Sequence, residues 1–366
     1  MKFSIDRDAL LKPLQLVCGA VEKRNNSPIL ANLLVEVSGN SLKLTGTDLE
    51  VELVGEASVN GEVQEDKTTV PAKKLLDIVK SLPDQSELYV EQQDNKWLLR
   101  SGRSRFSLAT LPADEYPNID SFTADINFSL AQSTLRSVID STQFSMANQD
   151  VRYYLNGLLL ETDGSVLRAV ATDGHRLALS HRTVEASLPE KQVIVPRKGV
   201  VEMVRLLDQD AQQVTISIGE NAIRIATDTA QLTSKLVDGR FPEYERVLPK
   251  GGDKIVIASR NQLKQALLRA SILSNEKFRG VRIQLENNLL KITANNPEQE
   301  EAEEIIDVEY DNQTLEIGFN VSYLLDVLNH ISADDVRITL IDNNSSALIE
   351  NHEAEDSMYV VMPMRL

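Results

Sequence analysis

Cysteine occurs once in the 366 residues, as Cys18, so no disulfide can form within the chain, which fits a reducing compartment. Histidine occurs only at His175, His181, His330 and His352. A zinc centre or a Cys–His nucleophile has little to be built from. The chain has no G-x-S-x-G, Walker P-loop, H-E-x-x-H or C-x-x-C pattern, so catalysis, a metal and a cofactor are not expected. No apolar run approaches the roughly 18 residues of a membrane span. Met1-Lys-Phe-Ser-Ile-Asp6 lacks the apolar core of a signal peptide, and a cytoplasmic location is expected. Positive charge is short as well: 38 Lys and Arg stand against 55 Asp and Glu, a net charge of −17. Taken alone, that balance argues against nucleic acid, because an acidic surface repels phosphate.

What the chain has is repetition. Leu158–Glu161 and Val166–Val170 flank Asp163-Gly164 and read as a β-hairpin. Related text surrounds Leu42 and Leu290, at offsets of 125 and 123 from Leu167. Thr47-Asp48, Thr172-Asp173 and Asn295-Asn296 stay in step with it. A second register aligns Val70–Leu82, Val195–Leu207 and Phe319–Ile331. A third aligns Phe3–Leu10, Phe128–Leu135 and Val256–Leu263. Three copies of one α+β unit follow, each of roughly 120 residues and therefore domain-sized. The expected domains are 1–125, 126–250 and 251–366, and an apolar fraction of 42% suffices for three cores.

The pattern places two helices in each unit, over 6–24, 71–82, 132–147, 196–208, 260–279 and 320–331. These stretches hold 16 basic and 9 acidic residues, a net of +7, while the remainder carries −24. Positive helices are thus carried on a negative body. Asp6 or Asp8 is a candidate cap for the first helix, and Pro13 should kink it or delay its start. Lys73 and Lys80 lie seven apart on one helix face, as do Lys198 and Arg205 in the second copy. That recurrence favours a nucleic-acid-facing role over a generic solvated face. Lys23-Arg24 reads either as a solvated turn or as a phosphate contact.

Thr172-Asp-Gly-His-Arg176 sets an acid, a base and a cation side by side. Asp173 recurs as Asp48 and Asn296, which marks a turn role. Gly174, His175 and Arg176 have no such counterparts and read as a binding element first, as a plain turn second, and as a catalytic site last. The acidic run Glu298–Glu304 reads as a cation site, a solvated face or, best, an electrostatic partner for the strand of Arg100, Arg103 and Arg105. One subunit then presents arginines and the next glutamates, head to tail. The apolar end Met358–Leu366 should form a last strand and a tail lying in a groove.

Several segments resemble the bacterial DNA polymerase III beta subunit family of sliding clamps. They are Ser101–Leu108, Gln149–Gly157, Ala171–Leu177, Ser234–Pro242, Ser274–Gly280, Ile292–Glu300 and Tyr359–Leu366. The resemblance runs the length of the chain. It implies three clamp domains, each with two helices facing inward and antiparallel sheets outside, closed as a head-to-tail dimeric ring around duplex DNA. The repeat alone is also compatible with three or nine units. The resemblance implies DNA contacts at Lys23, Arg24, Gln149, Tyr153, Tyr154, Arg197 and Lys198. The repeat argument adds Lys73, Lys80 and Arg205.

It further implies a groove for short motifs of the polymerase III alpha subunit, clamp loader subunits, other polymerases and repair proteins. Its residues are Leu155, Thr172, Gly174, His175, Arg176, Leu177, Pro242, Arg246, Val247, Ser346, Val360, Val361, Met362, Pro363, Met364 and Arg365. Asn344 departs from the apolar residue expected nearby. At the dimer interface, Ile272 and Leu273 face Phe106 and Leu108. Lys74, Arg103, Arg105, Glu298, Glu300, Glu301 and Glu304 supply the ionic rim. The rival readings are a DNA-binding scaffold that is not a clamp, and a nucleic-acid-modifying enzyme using Asp173, His175 and the acidic run.

Overall fold

The computed structural model describes residues 1–21, 27–117, 123–208, 212–354 and 356–365. Lys23 and Arg24 lie outside them. Each repeat uses one device twice: a strand runs straight into a helix. Lys2–Asp6 enters α1 (Arg7–Val17), and Asp66–Pro71 enters α2 (Ala72–Ser81). The second copy has α3 (Gln132–Asp140) and α4 (Arg197–Leu206), and the third α5 (Arg260–Ser271) and α6 (Val321–His330).

The apolar spacing explains the helices. Leu10, Leu14 and Val17 form the buried stripe of α1, and Ala72, Leu75 and Val79 that of α2. Three helices are shorter than the sequence pattern suggests. The first ends at Val17, before Gly19; the third stops at Asp140 and gives way to a 3-10 turn, Gln143–Ser145; the fifth stops at Ser271. Past Val17 and Asp140 the apolar pattern continues because the following turns still bury side chains such as Ala20 and Met146; past Ser271 it continues onto the surface, where Ile272 and Phe278 are exposed. The helix of α1 passes through Pro13, and Asp6 makes no side-chain cap. On the observed bounds the six helices carry twelve basic and five acidic residues, so their net charge is still +7.

The chain forms two compact units, Met1–Ser133 with Val195–Leu236, and Thr134–Ile194 with Val237–Leu366. In the first unit, a five-stranded sheet runs in the order Asn60–Gln64, Lys2–Asp6, Glu87–Gln93, Lys96–Ser101 and Ser104–Ala109. An eight-stranded sheet joins the first repeat to the second. Its junction is the antiparallel pairing of Ala230–Lys235 with Val51–Ser58.

In the second unit, a six-stranded sheet joins the second repeat to the third, where Arg176–Ser180 pairs with Ser357–Val361. A four-stranded sheet ends in Glu301–Asp307. The units therefore cut across the repeats, because sheet pairing rather than sequence adjacency holds them together. No helix among the described residues is long and apolar enough to cross a membrane.

The repeat is visible atom by atom. Leu42, Leu167 and Leu290 are all buried. Gly39, Gly164 and Asn288 turn the three copies with φ of +56°, +58° and +56°. The hairpin at Gly164 is confirmed by an ion pair between Arg168 and Glu161. Seven residues apart on one extended strand, these side chains would be roughly 23 Å apart; contact requires the chain to double back.

Within the first unit, Glu202 of α4 is buried and hydrogen-bonded to Arg205 through Oε1 at 2.7 Å. Its Oε2 finds no partner among the described residues. Burial raises its pKa above the ordinary 4.5, against the pull of Arg205. A raised folded-state pKa contributes stability below the ordinary value, and that stability is lost as pH rises through the folded value. Glu202→Gln should therefore raise the melting temperature at pH 7–8, by about 1 kcal/mol of stability. The gain should vanish as the pH falls below 4.5. Thermal melts of both proteins across that range check it.

Candidate functional site

The site is built on the turn after Thr172. Asp173 Oδ1 accepts from the backbone N–H of His175 at 2.9 Å and of Arg176 at 3.1 Å. Thr172 Oγ1 donates to the Arg176 carbonyl at 2.6 Å and accepts from the Gly174 N–H at 3.1 Å. The first repeat has the same turn: Asp48 accepts from Glu50 and Val51, and Thr47 bonds Val51 and Leu49. Asp173 is thus a turn-former. The backbone of Gly174 does have a counterpart, since Leu49 adopts φ +77° where Gly174 has +89°. What differs is space. A Cβ on Gly174 would lie 2.9 Å from the Arg152 guanidinium, which donates to the Asp173 carbonyl at 3.2 Å.

Strand pairing sets the apolar floor. Leu177 stands opposite Val360, and Leu348 pairs Val360 on the other side. Leu159, Val170, Leu177, Leu179, Ile194, Phe241, Tyr244 and Val360 make one buried cluster, with Tyr154, Val237, Leu248, Leu348 and Met358 packed on it. Leu155 is buried, Ser346 is half-buried, and Pro242, Arg246, Val247 and Met362 are exposed. The Met362 N–H donates to the His175 carbonyl at 3.0 Å, which fixes the tail against the turn. Burial raises the Tyr244 hydroxyl pKa; that hydroxyl sits 3.3 Å from Glu161.

Several expected groove residues are placed otherwise. Val361 is fully buried in the other core of this unit, because adjacent strand residues face opposite ways. Arg176 is also turned inward, with every guanidinium nitrogen engaged by the protein. Met364 and Arg365 line a separate depression of about 410 Å³ with Asn275, Phe278 and Thr293. Pro363 is half-buried. Tyr154, expected on the DNA side, packs against the apolar cluster, while Tyr153 is exposed. Asn344 is exposed and its N–H is held by Asp342.

Phe241 and Tyr244 were missed, although two aromatics in the polar loop 238–249 are a usable signal for an apolar anchor. Leu179 and Met358 were legible from period-two alternation.

The remaining candidate DNA contacts differ in freedom. Lys73 and Lys80 are exposed on α2. Gln149 has φ +57° and lies in a loop, not at a helix end as expected, because α3 stops at Asp140. Asn156 pins that loop by bonding Asp150 twice. The Arg152 side chain holds the Asp150 carboxyl down to about 2. Arg197 is half-buried. Lys198 donates to the Ala20 carbonyl at 3.0 Å and pairs with buried Asp48. Arg205 is exposed yet tethered to Glu202.

At the candidate interface, Ile272 is 76% exposed and Leu273 half-buried. Arg103, Arg105, Lys74, Glu298, Glu300 and Glu301 are exposed. Leu108 is not: it pairs with Trp97 on the core face of its sheet and is buried, which leaves Phe106 as the apolar contributor. Glu304 is already held within the chain by a two-pronged pair to Arg269, at 2.8 and 2.6 Å.

With this geometry established, the comparisons are specific. Residues 1–120, 129–243 and 245–365 match, in turn, the N-terminal, central and C-terminal domains of the DNA polymerase III beta subunit. The chain belongs to that family. It is 56% identical to the beta sliding clamp of Pseudomonas aeruginosa over 369 residues, covering 100% of both. A crystal structure of the same organism's DNA polymerase III subunit beta superposes with a TM-score of 0.97, at 56% identity and full coverage of both chains. Another, bound to griselimycin, gives 0.98 at the same identity and coverage. The fold expectation of three clamp domains with six helices and antiparallel sheets holds. As a member of this family the chain is a DNA sliding clamp, a non-catalytic processivity subunit, and the enzyme reading falls.

Gly174→Ala should lower stability by about 1–2 kcal/mol through left-handed backbone strain, and should displace Arg152 from Asp173. Thermal melts together with a crystal structure of the variant test both.

Proposed function

We propose that two copies of the chain close head to tail into a ring that encircles duplex DNA and tethers the polymerase. The observation that carries this reading is the run of three domain matches in family order along the whole chain. Domain borders near 125 and 250 accord with it. So does a cytoplasmic location, where the replicating chromosome lies.

The physics suits the task. Contacts to phosphate carry no sequence information and permit sliding. Non-specific binding is weak, with Kd roughly 10⁻⁴ to 10⁻⁶ M at physiological salt. Retention must then come from encirclement. Positive helices on an acidic body concentrate attraction on the helices, and Lys73, Lys80, Gln149, Tyr153, Arg197, Lys198 and Arg205 are the proposed contacts. Lys23 and Arg24 belong with them by family resemblance.

Ring closure is proposed through two open edges. Ser104–Ala109 ends the five-stranded sheet and Glu301–Asp307 ends the four-stranded one. Pairing them between subunits would cover both edges. Arg103, Arg105 and Lys74 would then meet Glu298, Glu300 and Glu301, with Ile272, Leu273 and Phe106 as the apolar centre. The groove around Leu177, Val247, Val360 and Met362 is proposed to take short motifs from the polymerase, the clamp loader and repair proteins. The griselimycin complex of the Pseudomonas aeruginosa relative shows that a member of the family accepts a ligand. Met358 and Met362 suit varied peptides, because an unbranched thioether adapts its shape.

The decisive experiment loads labelled protein onto nicked circular DNA with a clamp loader and ATP, washes in high salt, and then linearises the circle. Release on cutting is expected; retention on linear DNA with free ends would mean binding by contacts and would overturn encirclement. Separately, Leu273→Asp should give monomers by light scattering, and an unchanged dimer mass would remove Leu273 from the interface.

A further inference from the structure

The polar rim of the groove hangs on one side chain, and that side chain is held by a helix outside the groove. Arg176 Nε donates to Asp173 Oδ2 at 3.1 Å and Nη2 to the Phe144 carbonyl at 2.9 Å. Nη1 donates to Asp326 on α6. The guanidinium lies 4.6 Å from the Tyr323 ring and 5.4 Å from the Phe144 ring. Only 11% of the side chain is exposed, so little of it is left for a peptide. The Arg176 backbone closes the turn on both sides: its N–H reaches Asp173 and its carbonyl receives Thr172. Fixing the guanidinium therefore fixes Thr172, Gly174 and His175. Through the His175 carbonyl it also fixes Met362.

Helix α6 is built to hold its end of this link. Asp326 is its one Asp or Glu, and it carries no Lys or Arg. His330 stacks on Phe144 at 4.2 Å, and its Nδ1 lies 2.7 Å from the Asp326 carbonyl. The Asp326 carboxylate is 42% exposed. An ion pair so open to water adds little to global stability, so its consequence is local: it sets where the turn sits.

We propose that Asp326 is a positioning residue for peptide capture, acting through Arg176 on the groove's rim without touching the ligand. The proposal rests on the groove reading above.

The test measures binding of a fluorescein-labelled C-terminal peptide of the Pseudomonas aeruginosa polymerase III alpha subunit to the full-length dimer, by anisotropy. Asp326→Asn should weaken binding roughly fivefold to twentyfold, with melting temperature and dimer mass unchanged. Asp326→Glu, which keeps the charge, should restore binding to within about twofold. Binding by Asp326→Asn equal to wild type overturns the proposal. So does a loss that tracks a fall in melting temperature and is not rescued by Glu. A truncation lacking residues 362–366 separates the two readings. If it binds normally, the groove reading falls and takes this one with it. If it fails to bind while Asp326→Asn binds normally, only the role of Asp326 falls.

Discussion

The molecule depends on antiparallel strand pairing between repeats. Ala230–Lys235 pairs with Val51–Ser58 at one junction, and Arg176–Ser180 pairs with Ser357–Val361 at the other. Each junction satisfies a row of backbone donors and acceptors that would otherwise be exposed. The same rule explains why a second copy is needed. The first and third repeats end in sheets with open edges, and an unpaired edge is a standing template for association. A head-to-tail partner, as proposed, would satisfy both edges with one kind of contact. The groove belongs to this logic too, since the strand that makes the second junction also carries Leu177, and its partner carries Val360.

The repeat was legible because it is written in turn chemistry as well as in apolar spacing. Thr47-Asp48 and Thr172-Asp173 make the same hydrogen bonds, and Gly39, Gly164 and Asn288 share one backbone conformation. Helix ends were less legible. The stretches after Val17 and Asp140 keep burying side chains in turns, while the stretch after Ser271 carries the exposed apolar residues Ile272 and Phe278, which a periodic pattern does not tell from a buried stripe. Three of the expected site residues share one feature. Leu108, Val361 and Arg176 lie on segments assigned to the proposed surfaces, but their side chains are turned into the protein. A motif reports which segment matters; only strand parity and contacts report which side chain is free. Glu304 shows the same limit, since nothing local in the sequence reveals that Arg269, 35 residues away, already holds it.

Charge placement answers the opening difficulty of a net charge of −17 in a protein that works on DNA. The helices keep their +7 on the shorter observed bounds because the residues lost from them are four basic and four acidic. The basic side chains are not equally available, however. Lys198 is drawn onto Asp48 and the Ala20 carbonyl, while Lys73 and Lys80 are exposed. If these side chains are the DNA contacts, as proposed, tethered cations would lower the field that a duplex meets without removing it. For a sliding protein this is favourable. Strong phosphate contacts would raise the barrier between successive positions, whereas weak and redundant ones leave the duplex free to move and rely on closure for retention.

The contrast between Arg205 and Arg176 shows how one residue type serves two ends. Arg205 has one carboxylate partner and remains exposed, so its charge reaches the solvent. Arg176 has two carboxylates, a carbonyl and two aromatic faces, so its charge is spent inside the protein. A planar guanidinium can engage several partners in fixed directions, which a lysine ammonium cannot. That geometry makes Arg176 suited to joining a turn, a 3-10 segment and a helix in one arrangement. If the proposed groove takes many short motifs, it needs an adaptable floor and an invariable rim. The thioethers and aliphatic side chains would supply the first, and the clip through Arg176 would supply the second.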